Sequence, residues 1–359
     1  MKFAHFSHVW NKPGMTAAQR YEQLWNELAL CDEHGFDYAF AVEHHFRPYE
    51  ALMPTPAVYC AAAAAHTKRL RIGPMGYIVP LYDPLRIVEE AAVLDNVLGG
   101  RLDLGLVSGI APDYFQPYKA DFENRRAITN EALAIVKTAF ATEGPFSFKG
   151  QFHQYENLRL SVKPIQKPHP PIWIESRDPK TLEFLAQEGI HTGYVFFMPR
   201  DEAAPRYRDY VDLWRKAGHP DRPKVSYWAL VYVDETDELA VEHAKPHFEH
   251  AFTKVFGVRE VDGVLRPQLA ENAERRGEHA SAEIARHVTD VEYLIDRNLA
   301  FVGSPETVSR SIQQAAREGM INTLLCEMNF GAMTDEEIRR SITLFGTRVI
   351  PTLRSFEPF

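Results

Sequence analysis

Residues 70–107 read LRIGPMGYIVPLYDPLRIVEEAAVLDNVLGGRLDLGLV, and this stretch decides the fold class. Apolar runs over residues 70–77 and 101–107 predict two strands. Between them, residues 84–97 repeat apolar side chains at helical spacing, and Pro84 stands in the first turn, where proline is favoured. A strand, a helix and a strand in this order predict two parallel strands joined by a helical crossover.

The same alternation of short apolar strands and longer helical segments extends over the whole chain. Strands are predicted over residues 2–7, 38–42, 70–77, 101–107, 171–175, 191–197, 225–233 and 321–327. About eight strands, each followed by a helix, predict a closed (β/α)8 TIM barrel, with a doubly wound open sheet as the alternative. No linker rich in proline, glycine or serine interrupts the alternation. We therefore expect residues 1–359 to form one barrel domain.

Two segments depart from the alternation. Residues 144–160 alternate aromatic and polar side chains around Gly150, which predicts a β-hairpin excursion before strand five. Residues 257–286 are highly charged and poorly periodic, which predicts a long barrel loop that could act as a lid. A solvated helix without a functional role is the alternative for this second segment.

The composition is that of an acidic globular protein. Hydrophobic residues make up 45% of the chain, the formal net charge is −9 and the sequence pI is about 5.9. Since an acidic surface repels phosphate backbones and anionic lipids, we expect neither nucleic acid nor a membrane surface as a partner. One local basic cluster could still bind a small phosphate.

Cysteine usage and the absence of apolar segments predict a cytoplasmic protein. Cys31, Cys60 and Cys326 are far apart and include no CxxC pair, which fits a reducing compartment. The first residues, MKFAHFSHVWNKPG, lack the apolar stretch of a signal peptide. The longest apolar run, residues 57–65, is far shorter than the ~20 residues that a membrane span needs.

Several common catalytic motifs are absent from the sequence. No GxGxxG follows a predicted strand, which argues against a Rossmann site for a nicotinamide cofactor, and no GxxxxGK[ST] phosphate loop is present. The GLVSG sequence at residues 105–109 has its serine one position out of the GxSxG register, which argues against a serine hydrolase. HExxH is absent as well.

The end of strand two carries Glu43-His44-His45-Phe46. Adjacent side chains on an extended backbone point to opposite sides, so at most one of the two histidines faces the barrel mouth. A histidine at that position can act as a general acid or base near neutral pH. A hydrogen-bonded structural pair is an equal alternative. A zinc site is a third possibility, but no convincing set of further ligands is found, and we predict no metal.

Other strand ends carry small or polar residues. Residues 73–76, Gly-Pro-Met-Gly, and the tripeptide Val107-Ser108-Gly109 would leave backbone close to any group in the barrel mouth. Strand five ends in Trp173-Ile174-Glu175-Ser176, and a helix begins near Pro179. The N-terminus of that helix, with the hydroxyls of Ser176 and Thr181, would suit a phosphate. An ordinary capped helix start is the alternative.

Taken together, five stretches resemble the luciferase-like flavin monooxygenase family, and most closely the bacterial luciferase α-subunit type. They are EHHF at residues 43–46, the RIG–P stretch at 71–74, GGRLDLGLVSG at 99–109, PPIWIES at 170–176 and VGSPETV at 302–308. Each is weak alone, but their joint order and spacing are specific. The resemblance covers nearly the whole chain, including the hairpin before strand five and the late charged segment.

The resemblance implies a flavin mononucleotide (FMN) site in the barrel mouth. The isoalloxazine would lie against a non-proline cis peptide bond, which matches Met75–Gly76 here, and beside Val107. His44 matches the catalytic histidine, with Glu43 and His45 as its neighbours. The residues that match the remaining cofactor contacts are Ser108, Gly109, Arg126, Trp173, Ile174, Glu175, Ser176 and Thr181.

The chain departs from bacterial luciferase at the phosphate. Ser108 stands where luciferase carries a phosphate-contacting arginine, so the phosphate would depend on Arg126, Ser176, Thr181 or Arg177. The residues of the long-aldehyde pocket are not recognisable. Light emission is therefore not predicted.

The function that the resemblance implies is a two-component monooxygenase. Reduced FMN would react with oxygen at C4a to give a hydroperoxide, His44 would handle a proton, and a separate reductase would supply the reduced flavin. Mouth aromatics, chosen from the sequence, suggest a small apolar organic substrate: Phe6, Trp10, Phe115, Tyr118, Phe196 and Phe197. The resemblance also implies a homodimer, for which the small residues 61–65 would allow close helix packing.

Three alternatives to this function remain open. The first is an oxidoreductase that uses the deazaflavin F420, although EHHF resembles the flavin branch more closely. The second is a non-catalytic flavin-binding protein, against which the intact EHHF argues. The third is a metal-dependent barrel hydrolase. Cofactor titration, oxygen uptake and metal analysis distinguish the three.

Overall fold

The structure is a computed structural model that describes residues 1–255 and 257–359, apart from the side chains of Leu265 and Pro267. The chain divides into two compact units, each built from more than one segment. Unit 1 comprises residues 1–39, 47–52 and 175–359, and unit 2 comprises residues 40–46 and 53–174. The expectation of one domain over residues 1–359 stays a prediction.

The first half of the chain alternates strands and helices as predicted. Its elements are β1 (Lys2–Ser7), α1 (Ala17–Glu33), β2 (Tyr38–Ala41), α2 (Pro56–His66), β3 (Arg71–Pro74), β4 (Tyr77–Ile78), α3 (Pro84–Val97), β5 (Leu104–Val107), α4 (Pro112–Tyr118), α5 (Arg125–Ala141), β6 (Phe146–Lys149), β7 (Gln154–Leu158) and β8 (Ile172–Trp173).

The second half continues the alternation around an insertion. Its elements are α6 (Pro179–Glu188), β9 (Thr192–Val195), α7 (Arg200–Ala217), β10 (Val225–Val233), α8 (Asp237–His250), β11 (Val258–Val261), β12 (Val264–Pro267), α9 (Leu269–Arg275), α10 (His279–Arg286), α11 (Val291–Asp296), β13 (Phe301–Gly303), α12 (Pro305–Gly319), β14 (Thr323–Glu327), α13 (Asp335–Leu344) and α14 (Ile350–Leu353).

Side-chain caps explain where several helices begin. Thr16 and Gln19 form a capping box at the start of α1. The side chain of each residue accepts a hydrogen bond from the backbone N–H of the other. Asp178 and Ser304 accept hydrogen bonds from the third backbone N–H of α6 and α12, and both helices have proline in the first turn. These local signals place the helix starts directly after the strand ends that could carry function.

Unit 1 contains a parallel sheet with the strand order β9–β10–β14–β1. Lys2 lies opposite Thr323 and Phe6 lies opposite Glu327, so β1 and β14 end at the same edge. The final residues of β10 also pair in parallel with β13. All nine residues of β10 are buried, as expected for a parallel strand covered on both faces.

Unit 2 contains a second parallel sheet with the order β4–β5–β8. Ile78 lies opposite Val107, and Gly105 lies opposite Trp173. The predicted strand over residues 70–77 is divided at residues 75 and 76 into β3 and β4. Strands β6 and β7 form an antiparallel hairpin in the segment where alternating aromatics predicted one.

The segment 257–286 is more ordered than the predicted long loop. It consists of the antiparallel hairpin β11–β12 followed by the short helices α9 and α10. Asp262 and Gly263 both have positive φ, 52° and 75°, at the hairpin turn. Asp-Gly between apolar residues is a strong hairpin signal, and the charge of the segment obscured it. The loop expectation is therefore corrected, while a lid role stays a prediction.

Over residues 1–255 and 257–359, no helix combines the length and apolar character that crossing a bilayer requires.

Candidate active site

The carboxylate of Glu43 organises the residues at the end of β2 in unit 2. Its Oε1 accepts hydrogen bonds from His45 Nε2 at 2.8 Å and from the hydroxyl of Tyr82 at 2.6 Å. Its Oε2 accepts one from the backbone N–H of Ile78 at 2.7 Å. Burial, together with the carboxylate of Glu43, raises the pKa of Tyr82, so its hydroxyl remains a donor. Glu43 therefore holds His45 and the end of β4 in a fixed arrangement.

The two adjacent histidines have different environments. His45 is buried against Glu43, whereas His44 is half-buried and has its ring 5.7 Å from that of Tyr114. The backbone N–H of His44 donates to the carbonyl of Met53 at 3.0 Å. Both histidine rings lie near Tyr114, since that of His45 is 5.8 Å from it, but it is His45 that is hydrogen-bonded to Glu43. The role of His44 as the catalytic histidine stays a prediction.

The Met75–Gly76 peptide bond is cis, which confirms the expectation drawn from the resemblance. The N–H of Met75 donates to the carbonyl of Ala41 at 2.8 Å, which ties this bond to the end of β2. A Cβ on Gly76 would lie 2.4 Å from the carbonyl carbon of Gly105. Because that neighbour is backbone and cannot move aside, only glycine fits at residue 76.

The end of β5 opens toward solvent. Residues 104–106 are buried, whereas Val107, Ser108 and Gly109 are all half-buried. Gly109 has φ 75°, and a Cβ there would lie 2.8 Å from the ring of Phe115. Val107 packs on the apolar cluster that includes Ile78 and Phe115. These residues lie at a strand end, where a ligand could reach them, as predicted.

Two other predicted contacts in unit 2 have distinct surroundings. Arg126 is exposed on α5, while Arg125 stacks on Phe122 with its guanidinium carbon 3.9 Å from the ring centroid. Trp173 is fully buried, and its indole N–H donates to Asp103 at 2.7 Å. Ile174 is buried as well. The structure gives Trp173 a packing role between strands and leaves Arg126 as an exposed cation.

Glu175 begins the set of predicted residues that lie in unit 1. Its carboxyl is half-buried and accepts a hydrogen bond from the hydroxyl of Ser226 at 3.3 Å. Burial raises the pKa of Glu175 to about 7, and the Ser226 hydrogen bond offsets only part of that rise. Ser226 fits beside β9 because residue 193 is glycine: a Cβ there would lie 1.8 Å from the serine hydroxyl oxygen. Glu175 can therefore exchange a proton near neutral pH.

The N-terminus of α6 already has an anionic cap. The carboxylate of Asp178 accepts hydrogen bonds from the backbone N–H of Thr181 at 2.9 Å and from its hydroxyl at 2.8 Å. Ser176 accepts one from the N–H of Asp178 at 3.2 Å. The half-exposed guanidinium of Arg177 lies 2.6 Å from Glu278 in the insertion. Ser176 and Arg177 thus fit a phosphate better than Thr181 does.

Sequence reasoning missed a buried carboxylate at the end of β14. Glu327 is fully buried, and its two oxygens accept hydrogen bonds from the backbone and ring of His8 and from two indoles. The indole N–H of Trp10 lies at 2.7 Å and that of Trp228 at 3.2 Å. Trp10 had been expected to line the mouth as an apolar residue. A glutamate closing a predicted strand was the available signal.

Among residues 1–255 and 257–359, no group of three or more His, Cys, Asp or Glu side chains is placed to hold a metal ion.

Comparison with known proteins identifies the family. The sequence profile described as luciferase-like monooxygenase matches residues 1–322. The chain belongs to the luciferase-like monooxygenase family. The relatives of this chain include flavin-dependent monooxygenases, and the chain is an enzyme of this class. The comparison confirms the resemblance found in the sequence.

Two relatives illustrate the range of this family. The chain is 25% identical to the oxygenase component of flavin-dependent trigonelline monooxygenase from Acinetobacter baylyi over 67% of each chain. It is 24% identical to the alkanal monooxygenase alpha chain from Aliivibrio fischeri over 99% of each chain. The relatives of this chain thus include both an oxygenase component and an alkanal monooxygenase alpha chain.

Solved structures confirm the (β/α)8 barrel class. Monooxygenase RslO1 from Streptomyces bottropensis superimposes with a TM-score of 0.80 at 25% identity, covering 98% of this chain and 99% of that one. The oxygenating constituent of 3,6-diketocamphane monooxygenase from Pseudomonas putida, solved with FMN, gives 0.80 at 22% identity over 98% of each chain. An F420-dependent secondary alcohol dehydrogenase gives 0.69 at 16% identity over 99% of each chain, so the fold alone does not distinguish the two cofactors.

Proposed function

We propose that the chain is the oxygenase component of a two-component monooxygenase that uses reduced FMN and O2. The observation that carries this proposal is the arrangement of Glu43, His45 and half-buried His44 beside the accessible end of β5. Family membership supplies the reaction class. When bound, the reduced flavin would donate two electrons to oxygen. The chain would bind it, exclude water and move protons.

The proposed FMN contacts are residues that the family resemblance matches. We propose that the ring of FMN lies against Met75–Gly76, Val107 and His44. The phosphate would bind Ser176 and Arg177, with the exposed cation of Arg126 as a further candidate. The fit is supported by the half-buried strand end at Val107, Ser108 and Gly109.

The substrate class follows from the aromatic side chains of unit 1. Phe196 and Phe197 pack with ring centroids 4.1 Å apart, and Phe196 lies 5.3 Å from the ring of Trp228. Phe6 lies 6.1 Å from the same indole. Phe6, Phe196 and Trp228 are buried and Phe197 is half-buried, so the cluster is apolar and only Phe197 is partly accessible. We propose from this apolar cluster a small apolar organic substrate.

A separate reductase would supply the reduced flavin. The sequence has no GxGxxG fingerprint for a nicotinamide cofactor after a predicted strand. A relative is named as the oxygenase component of a flavin-dependent monooxygenase, which is consistent with a partner reductase. Purified chain given NADH and oxidised FMN should therefore consume no oxygen until a flavin reductase is added.

The insertion over residues 257–286 would close over the bound flavin. The ion pair between Arg177 and Glu278 connects the phosphate candidate to the start of α10. Phosphate binding at Arg177 would compete with this ion pair and so couple the insertion to the cofactor. Amide hydrogen exchange over residues 257–286 should change when reduced FMN is added, and identical exchange would reject the coupling.

A homodimer is proposed from the exposed faces of α2 and α3. Val58, Val93 and Val97 are exposed, and the small side chains of Ala61 and Ala65 are exposed on α2. Val93→Lys should convert a dimer to a monomer in sedimentation velocity, because it places a charge in an apolar interface. Leu239→Lys, which changes an exposed leucine on α8, is the matched control and should leave the dimer intact.

Anaerobic titration tests the function and its main alternative together. The chain should bind reduced FMN tightly, quench its fluorescence or shift its absorbance, and then consume oxygen when air is admitted. Reduced F420 should bind weakly. Binding of F420 alone would establish the deazaflavin oxidoreductase instead. Reduced FMN bound without any oxygen consumption would indicate a non-catalytic flavin-binding protein.

A further inference from the structure

The hydrogen bonds around Glu43 determine the tautomer of His45. An ionised carboxylate only accepts hydrogen bonds, and the backbone N–H of Ile78 can only donate. Glu43 receives hydrogen bonds from this N–H, from Tyr82 and from Nε2 of His45. The proton of a neutral His45 ring is thus on Nε2, and the lone pair is on Nδ1.

The Nδ1 atom of His45 faces the hydroxyl of Tyr118. The two atoms are 3.3 Å apart, and Tyr118 is the last residue of α4. His45 itself is only 4% exposed, whereas Tyr118 is 47% exposed. The hydroxyl of Tyr118 therefore stands between a buried basic nitrogen and solvent.

Two further aromatic rings pack around the His45–Tyr118 pair. Phe46 packs on His45 and on Tyr118, with centroid distances of 5.7 Å to each, and Tyr114 lies 5.8 Å from His45. Phe46 has φ 57°, a left-handed conformation that costs free energy for an aromatic residue. The strained backbone holds its ring against the His45–Tyr118 pair although that ring is 59% exposed.

We propose that Glu43, His45 and Tyr118 form a proton-transfer line, in which Tyr118 is the outer end and His45 is the buried acid–base group. This inference rests on the proposed function and adds to it a route by which protons reach the site. Tyr118 is a positioning and proton-conducting residue. It is distinct from His44, which the family resemblance assigns to catalysis.

Each transfer balances without any further reactant. A solvent acid gives a proton to the Tyr118 oxygen as the hydroxyl proton of Tyr118 passes to Nδ1, so only O–H and N–H bonds form and break. His45 becomes an imidazolium beside the carboxylate of Glu43, and it returns to the neutral form when it gives one proton to the reduced oxygen at the site. A proton is needed because a reduced flavin anion, O2 and one proton together yield oxidised flavin and hydrogen peroxide.

Removing the hydroxyl of Tyr118 tests the line. Tyr118→Phe keeps the ring that packs on Phe46, and Tyr155→Phe is the matched control, since its hydroxyl donates to Asp83 at 2.9 Å and not to a histidine. The measurement is the rate at which protein-bound reduced FMN is reoxidised by O2, followed by stopped flow across pH 5.5–9. The ionisable side chains that contact His45 are Glu43, Tyr114 and Tyr118, and His44 is its neighbour in the chain.

The expected result separates proton transfer from packing. Tyr118→Phe should slow reoxidation by on the order of tenfold to a hundredfold, at the lower end of general acid–base effects, and imidazole in the buffer should restore part of the rate. Tyr155→Phe should match the wild type. A Tyr118→Phe rate equal to wild type at every pH, or a loss that imidazole does not restore, would overturn the proposal.

A second measurement needs no variant of Tyr118. Nitrogen-15 spectra of the imidazoles in the wild-type chain, with His45 assigned by its loss in His45→Gln, should show Nε2 protonated and Nδ1 unprotonated in the neutral ring. The opposite tautomer would overturn the proposal. Failure of the proposed function is distinguishable, because the wild type would then not bind reduced FMN or would bind it without consuming oxygen, whereas the tautomer is read without flavin.

Discussion

Replacing Glu43 by glutamine should abolish most turnover while leaving the chain folded. The amide of Gln has one accepting oxygen and one donating NH2 group. The backbone N–H of Ile78 cannot reverse its role, so the amide oxygen must face it. The NH2 group then points at His45 and Tyr82, which both donate to Glu43 in the wild type. His45 escapes this conflict only by moving its proton from Nε2 to Nδ1.

The expected losses of stability and of activity in Glu43→Gln have different sizes and different causes. The Ile78 hydrogen bond survives, and the other two lose their charged acceptor, which should cost about 1–3 kcal/mol in the free energy of unfolding. The reversed tautomer turns Nδ1 of His45 into a donor and removes the basic nitrogen that faces Tyr118. Turnover should therefore fall by ~10²–10⁴-fold, the range typical of a lost general acid–base group.

A carboxylate with similar partners provides the control. Glu131 accepts hydrogen bonds from the backbone N–H groups of Phe152 and His153 and lies 2.9 Å from the ring Nδ1 of His153. Glu131→Gln should lower the melting temperature as Glu43→Gln does, yet leave oxygen uptake with reduced FMN unchanged. If Glu43→Gln retained turnover within about threefold of wild type while losing stability, the reasoning about the His45 tautomer would be refuted.

Three further substitutions test other parts of the site. Gly76→Ala should lower the unfolding free energy by at least about 2 kcal/mol, because its Cβ would lie 2.4 Å from the backbone of Gly105. Gly144→Ala is the control and should be near neutral, because no atom lies within 4 Å of a Cβ there. Denaturant titration measures both changes. Glu327→Gln should cost about 1–3 kcal/mol of unfolding free energy by removing a carboxylate oxygen that accepts from the indole of Trp228. Adding Trp228→Phe should recover part of that loss in melting temperature, and full additivity of the two changes would contradict the network. The pKa of Glu175 is about 7, above its ordinary value of 4.5. The carboxyl therefore loses its proton at a lower pH in the unfolded chain than in the folded chain, and the free energy of unfolding falls as pH rises between these two values. The melting temperature of wild type should thus fall relative to Glu175→Gln from pH 4.5 to 8, and parallel pH curves would exclude the shift.

The fold class was predictable because its signals are local. Apolar runs at strand spacing, prolines in first helical turns and the Thr16 capping box each act within a few residues. The hairpin at Asp262-Gly263 was equally local but was overlooked within a charged segment. Helix α4 was also missed, because its seven residues include two prolines and show little periodicity.

The positions of the candidate site residues in the chain could be predicted, but their hydrogen-bond partners could not. A strand-end pattern indicated Glu43, His44 and His45, yet no local rule says which histidine the carboxylate binds. That choice depends on the backbone of Ile78 and the hydroxyl of Tyr82, which are more than thirty residues away. Likewise Trp173 was expected beside a cofactor, and its buried hydrogen bond to Asp103 depends on the packing of β5 against β8.

A crystal structure of the chain with FMN bound tests the proposed site most directly. The isoalloxazine should contact the Met75–Gly76 bond with His44 beside it, and the phosphate should lie within hydrogen-bond distance of Ser176 or Arg177. A flavin bound away from these residues would contradict the proposed site.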